Sequence, residues 1–175
     1  LGLDGAGLLA GDFAELEQLA AGIHLIGEVS PRVQARIMGM GELMATRLGA
    51  AWLRAEGLPA TWLDARDLLV TSESAATNER ARYLSAACEF QADPDLQARL
   101  AAVPGIVLTQ GFIARTPKGD PALLGRGGSD TSAAYFAAKL GAVALEIWTD
   151  VPGMFTANPK VVPGARLLRH LSYAE

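Results

Sequence analysis

The chain has 175 residues, half of them hydrophobic and 19% charged, with a formal net charge of −4. That length and balance describe a globular domain with a real core and exclude a disordered segment. The weak acidity argues against nucleic-acid or membrane-surface binding, either of which favours a basic patch. No apolar run reaches the roughly 18–20 residues of a membrane span. The longest, Met38 to Trp52, carries Glu42 and Arg47, and Asp4, Asp12 and Glu15 stand where a signal peptide would be apolar. Cys88 is the single cysteine, so no internal disulfide forms, which fits a reducing cytoplasm.

In chain order, Asp12 with Glu15 has the spacing of a capping pair and predicts a helix ending near Gly22. Ser30-Pro31 predicts a second start, a cap followed by proline in the first turn, with helical spacing to Glu56 and a stop at Gly57. Gly39-Met40-Gly41 interrupts that helix and either bends it or admits a close neighbour. Thr61 to Leu63 reads as a short strand, Leu69 to Cys88 is ambiguous, and Pro94 to Ala102 has helical spacing. Ile106 to Thr109 predicts a buried strand. Arg115 to Gly128 reads as a loop, Ser129 as the cap of a helix over 130–140, and Val143 to Trp148 as a further strand before a turn at Pro152-Gly153. Alternating helices and strands predict an α/β sandwich with a largely parallel sheet. Ligands bind beyond the carboxyl ends of such strands, here at Gln110-Gly111-Phe112 and at Thr149 to Gly153.

Three segments could carry chemistry. Leu124-Gly125-Arg126-Gly127-Gly128-Ser129-Asp130 places paired glycines before a helix start, where unpaired N–H groups suit an anion, and Arg126 adds a planar fork of donors for a carboxylate. The same residues also suit a flexible turn with an ordinary cap. Trp148-Thr149-Asp150-Val151-Pro152-Gly153, followed by Asn158-Pro159-Lys160, brings a hydroxyl and a carboxylate to a strand end; alone it favours a plain strand-to-turn junction. Glu42, among Met38, Leu43 and Met44, needs a cationic partner if buried, and a lone glutamate usually faces solvent instead. His24 and His170 share no ligand-like spacing.

Taken together, Gly41-Glu42-Leu43-Met44, Thr109-Gln110-Gly111-Phe112, Leu124 to Asp130 and Trp148 to Gly153 resemble, in order and spacing, the aspartate kinases of the amino acid kinase superfamily. The resemblance covers about residues 35–175 and is weak between Leu69 and Leu100. It implies a three-layer α/β sandwich and transfer of the γ-phosphoryl group of ATP, with Mg2+, to the side-chain carboxylate of L-aspartate. It implies that Glu42 holds the substrate ammonium, that Arg126 clamps the α-carboxylate, that Gly127, Gly128 and Ser129 lie near the reacting groups, and that Asp130 positions the substrate. Thr149 and Asp150 would meet the nucleotide. Phe155 stands where a tyrosine is common, beside the adenosine, and Lys160 where arginine is common, near the phosphates.

The family opens with a strand leading into Lys-Phe-Gly-Gly-Thr-Ser, carries a second lysine beyond the position of Glu175, and usually continues into regulatory domains. None of these is in the sequence. The expectation is therefore a partial catalytic domain over 1–175, truncated at both ends, from a longer or a bifunctional polypeptide, inactive in isolation and prone to self-association. The resemblance further implies a cytoplasmic enzyme of amino-acid biosynthesis, leading toward lysine, threonine and methionine, that assembles as a homo-oligomer. A relative acting on glutamate or acetylglutamate, and a non-catalytic ligand-binding module on the same fold, are the alternatives; acetylglutamate has no ammonium for Glu42 to hold.

Overall fold

The computed structural model describes residues 2–73 and 78–172. They form two compact units, one ending at Leu145 and the other beginning at Glu146. The first unit opens with two long helices, α1 (Gly5–Ile26) and α2 (Pro31–Ala55). Helix α2 starts and stops where its sequence signals lie: the Ser30 hydroxyl accepts from Val33 N at 3.4 Å, proline follows, and Gly57 turns the chain at φ 81°.

Helix α1 departs from expectation at both ends. Its cap is Asp4, whose carboxylate accepts from Gly7 N at 2.9 Å, and it ends at Gly27, not near Gly22. Asp12 lies inside the helix and is buried because its carboxylate pairs with Arg47 of α2. A carboxylate satisfied by a guanidinium has no need of the backbone donors that a cap serves.

Strands β1 (Ala60–Trp62) and β2 (Ile106–Leu108) pair in parallel, Thr61 opposite Val107. Between them lie a 3-10 turn at Ala65–Asp67 and helices α3 (Glu79–Leu84) and α4 (Pro94–Ala101). Of the ambiguous stretch, residues 74–77 lie outside the described residues; Val70 bridges to Arg115 and Thr71 to Cys88. Desolvation pushes the buried Cys88 thiol up to about 11, with Lys139 acting in the opposite sense.

The expected loop after Arg115 is largely a hairpin. Strands β3 (Ile113–Arg115) and β4 (Pro121–Leu123) pair antiparallel, and Thr116 N donates to Asp120 O at 2.8 Å across the turn. Alternation along these strands divides the core. Ile113 and Leu123 pack with Ala35 and Leu43 of α2, while Ala114 and Leu124 pack with Tyr135 of α5 (Gly128–Leu140). The hairpin is thus a layer between two helices. Gly39 accounts for the glycine interruption of α2, since a Cβ there would lie 3.1 Å from Ile113 Cγ2.

Two further expectations change. Helix α5 begins at Gly128 with Gly127 as its cap residue at φ 71°, and no side chain caps it; Ser129, already inside the first turn, lies past the cap position. Residues 143–148 form no strand. An apolar run becomes a parallel strand only when a sheet edge completes its ladder, and β1 and β2 pair only with each other among the described residues.

The second unit is held by an antiparallel bridge between Phe155 and Leu167, with Thr156 N donating to Arg166 O at 2.9 Å and Leu168 N to Met154 O at 2.8 Å. Among the described residues no helix is long and apolar enough to cross a membrane.

Candidate functional site

The site grows from two turns that interlock at the end of β2. The first is Thr109 to Phe112. Ile113 N donates to Gly111 O at 2.8 Å, which closes a γ-turn around Phe112, and Phe112 has φ 69°. A left-handed φ at a bulky residue is strained by about 1–3 kcal/mol and persists only where its surroundings enforce it. Here Phe112 N donates to Ser132 Oγ at 2.8 Å, and Phe112 O accepts from Leu124 N at 2.8 Å.

The second turn is Gly125 to Ser129, entering α5. Gly125 and Gly127 have φ 77° and 71°, and Gly128 N donates to Gly125 O at 3.1 Å. The turns touch where glycine is required. A Cβ on Gly111 would lie 2.9 Å from Ser129 Cα, and one on Gly128 would lie 2.7 Å from Phe112 Cδ2. Ser132 ties both turns to α5, its hydroxyl donating to Gly128 O at 2.6 Å.

Two cavities flank this junction. One, of about 380 Å³, is lined by Glu42, Thr109, Gln110, Gly111 and Ser129 among others. Glu42 is half-buried and its carboxylate has no ion pair or hydrogen bond among the described residues. The Thr109 hydroxyl is buried without a partner, a state that costs about 1–3 kcal/mol unless something supplies the bond. The other cavity, of about 360 Å³, is lined by Gln34, Met38, Arg80, Phe112 and Arg126 among others. Arg126 is exposed.

The structure thus brings Glu42 and Ser129 to one cavity and puts Arg126 in the other, with Gly111 and Phe112 contributing one residue to each. Gly127 and Gly128 form the entry to α5. Asp130 is exposed in its first turn and lines neither cavity. Thr149, Asp150, Phe155 and Lys160 belong to the second unit. There the Thr149 hydroxyl donates to Asp150 Oδ1 at 3.1 Å, Phe155 bridges Leu167, and Lys160 N donates to Asn158 Oδ1 at 2.9 Å.

Thr46 and Arg80 stand outside the segments that the sequence points to, and Thr109 and Phe112 lie within one of them without a role of their own. Thr46 is four residues beyond Glu42 on α2, a spacing that puts both on one helix face and could have drawn notice. Thr109 follows directly on β2, where a ligand-facing hydroxyl is expected. Nothing in the residue type announces the backbone of Phe112.

A mixed α/β unit with a parallel pair, and glycine-lined turns at the strand end, have the architecture in which α/β enzymes bind small molecules. The model of the amino acid kinase family matches residues 8–175, and the chain belongs to that family. It is 37% identical over 169 residues to the bifunctional aspartokinase/homoserine dehydrogenase of Haemophilus influenzae, covering 96% of this chain and 20% of that protein. It is also 37% identical over 175 residues to the lysine-sensitive aspartokinase 3 of Escherichia coli, covering 92% of this chain and 36% of that protein. The chain therefore spans a fifth to about a third of these relatives. The crystal structure of E. coli aspartokinase III in complex with aspartate and ADP superimposes with a TM-score of 0.68 at 35% identity, covering 89% of this chain and 35% of that one. The fold is that of the aspartokinases.

Proposed function

We propose that the protein is an aspartate kinase, transferring the γ-phosphoryl group of ATP to the side-chain carboxylate of L-aspartate to give 4-phospho-L-aspartate, and that residues 1–175 are part of its catalytic domain. The observation that carries this is the unpaired Glu42 carboxylate in a cavity that also meets the uncapped start of α5. A carboxylate acceptor beside helix N–H donors matches the two charges of a free amino acid. Similarity to the aspartokinases favours aspartate as that amino acid.

In this reading Glu42 holds the ammonium and Arg126 the α-carboxylate. The Arg126 side chain has no partner among the described residues, so it is free to swing toward a ligand. Gly127, Gly128 and Ser129 lie near the reacting groups, and Asp130 orients the substrate. Thr149, Asp150, Phe155 and Lys160 serve the nucleotide. With both α-groups held, the side-chain carboxylate is the nucleophile left to react. It is already ionised near neutral pH, so no general base is required, and the chain's contribution is positioning and charge neutralisation.

Among the described residues there is no group of three or more His, Cys, Asp or Glu placed to hold a metal ion. Mg2+ would be held largely by the nucleotide phosphates, whose charge it would neutralise.

Calorimetric titration with L-aspartate and, separately, with Mg-ATP tests the assignment. Aspartate binding that disappears in Glu42→Ala and in Arg126→Ala supports it. Preference for glutamate or acetylglutamate would move the protein to another substrate in the family. Ligand binding without aspartyl phosphate formation by the whole polypeptide would leave a binding module.

A further inference from the structure

Beneath Glu42 runs a set of inward-facing hydrogen bonds that the proposed reaction does not use. Gln110, at the end of β2, is 1% exposed. Its Oε1 accepts from Ala65 N at 2.7 Å, and its Nε2 donates to Thr46 Oγ1 at 2.8 Å and, more weakly, to Leu63 O at 3.4 Å. Thr46 Oγ1 also accepts from Trp62 Nε1 at 3.0 Å. With both lone pairs occupied, the hydroxyl proton is directed to the carbonyl of Glu42, 2.7 Å away, with Leu43 O at 3.2 Å.

A threonine that donates to the carbonyl four positions earlier ties its side chain to that turn of the helix. Here the accepting carbonyl belongs to the residue that carries the unpaired carboxylate. The bonds join three elements: the end of β1 through Trp62 and Leu63, the 3-10 turn through Ala65, and α2 through Thr46. Arg47, the next residue, stacks 4.8 Å from the Trp62 ring centroid and pairs with Asp12 of α1, which holds α2 from a further direction.

We propose that Thr46 and Gln110 are positioning residues for Glu42 and thereby set the preference of this cavity for a ligand ammonium group. This rests on the assignment of Glu42 above. A hydroxyl and a carboxamide that served stability alone would affect every ligand of the fold alike. Residues that aim Glu42 affect only ligands that carry an ammonium.

The test compares L-aspartate with succinate, the same dicarboxylate without the ammonium, by calorimetry on wild-type protein and on Thr46→Val, Thr46→Ser and Gln110→Leu. Thr46→Val keeps the side-chain shape and removes the hydroxyl; Gln110→Leu removes the donor to Thr46 without adding a charge beside the ligand. Loss of one such bond predicts aspartate affinity down about tenfold in Thr46→Val with succinate affinity unchanged, recovery in Thr46→Ser, and in Gln110→Leu a larger loss for aspartate than for succinate. Equal losses for both ligands, or no loss for either, would overturn the proposal. If wild-type protein binds neither ligand, the aspartate assignment fails on its own. Crystal structures of wild-type and Thr46→Val protein then decide the positioning role: a displaced Glu42 carboxylate upholds it, and an unmoved one overturns it.

Discussion

The cavities on either side of the Gly111–Phe112 turn are built in different ways. Behind Glu42 stand Gln110, Thr46 and Ser132, each making two or more short hydrogen bonds. Around Arg126 the apolar walls are Met38, Leu84, Phe112 and Leu123, with Gln34 and Ser85 beside them, and the two guanidinium groups, Arg80 and Arg126, are exposed. One side is preorganised by directional bonds, the other is an apolar floor with cations that can move. Under the proposed function the difference is a division of labour: a fixed acceptor selects the ligand, and an adaptable cation closes on it.

The sharpest way to break this contrast is to destroy the junction. Gly111→Ala would place its Cβ 2.9 Å from the Ser129 Cα, a backbone atom that cannot rotate away. Overpacking of this kind costs about 2–3 kcal/mol, so a fall in the denaturant midpoint with loss of both cavities is expected. Full stability in Gly111→Ala would mean that the two turns are not tightly locked. Gln110→Leu comes next. It keeps bulk but leaves Ala65 N and the Thr46 hydroxyl short of partners, at about 2 kcal/mol. Chemical denaturation checks this, and faster hydrogen exchange at the Ala65 amide would locate it.

Acid provides a milder probe of the Glu42 side. Asp64 caps the turn that carries Ala65, and its carboxylate accepts from Arg66 Nε at 2.9 Å and from Nη2 at 2.6 Å. Burial alone would raise the Asp64 carboxyl, but the Arg66 hydrogen bonds and charge outweigh it and hold it below 3.8. A carboxyl lowered on folding stabilises above its unfolded value and loses that contribution as pH falls through the folded one. Stability should therefore decline below about pH 4, by about 1 kcal/mol for this pair. In Arg66→Ala that part of the decline should be absent from the pH dependence of unfolding.

Much of this architecture was legible in the residues, and the illegible parts have physical causes. Helix α2 announces itself through Ser30, Pro31 and Gly57 because caps and stops are local chemistry. Ile106 to Leu108 is β-branched at its start and short, and it pairs in parallel, but it is not the buried strand expected over Ile106 to Thr109: it stops at Leu108, Ile106 is exposed, and Val107 and Leu108 are only half-buried, because β1 is its one neighbour among the described strands. Asp12 misled because a carboxylate three residues before a glutamate looks the same at a helix end and inside one. Only Arg47, 35 residues away in sequence, settles its place. The hairpin β3–β4 escaped notice because its strands have three residues each, one beginning at Pro121, and α2 and α5 pack on its two faces. Residues 143–148 carry a strand-like composition but no strand. At the site, the residue pattern with its family resemblance named Glu42 and Ser129. That they meet in one cavity, and that Arg126 lies in the other, is a matter of tertiary placement that spacing does not encode.

The smallest expected effect on stability is also the most selective probe of the contrast. Arg126 makes no ion pair among the described residues and its side chain is exposed, so Arg126→Ala should change unfolding free energy by less than about 0.5 kcal/mol. If Arg126 clamps a ligand carboxylate, the same change should weaken aspartate and succinate together, because both present that carboxylate. Thr46→Val should weaken aspartate alone. A variant that is silent in denaturation but general in binding, beside one that is specific in binding, would separate the adaptable side from the preorganised one. If Arg126→Ala instead destabilised the protein by several kcal/mol, the cation would be part of the scaffold, and the two cavities would be alike in construction after all.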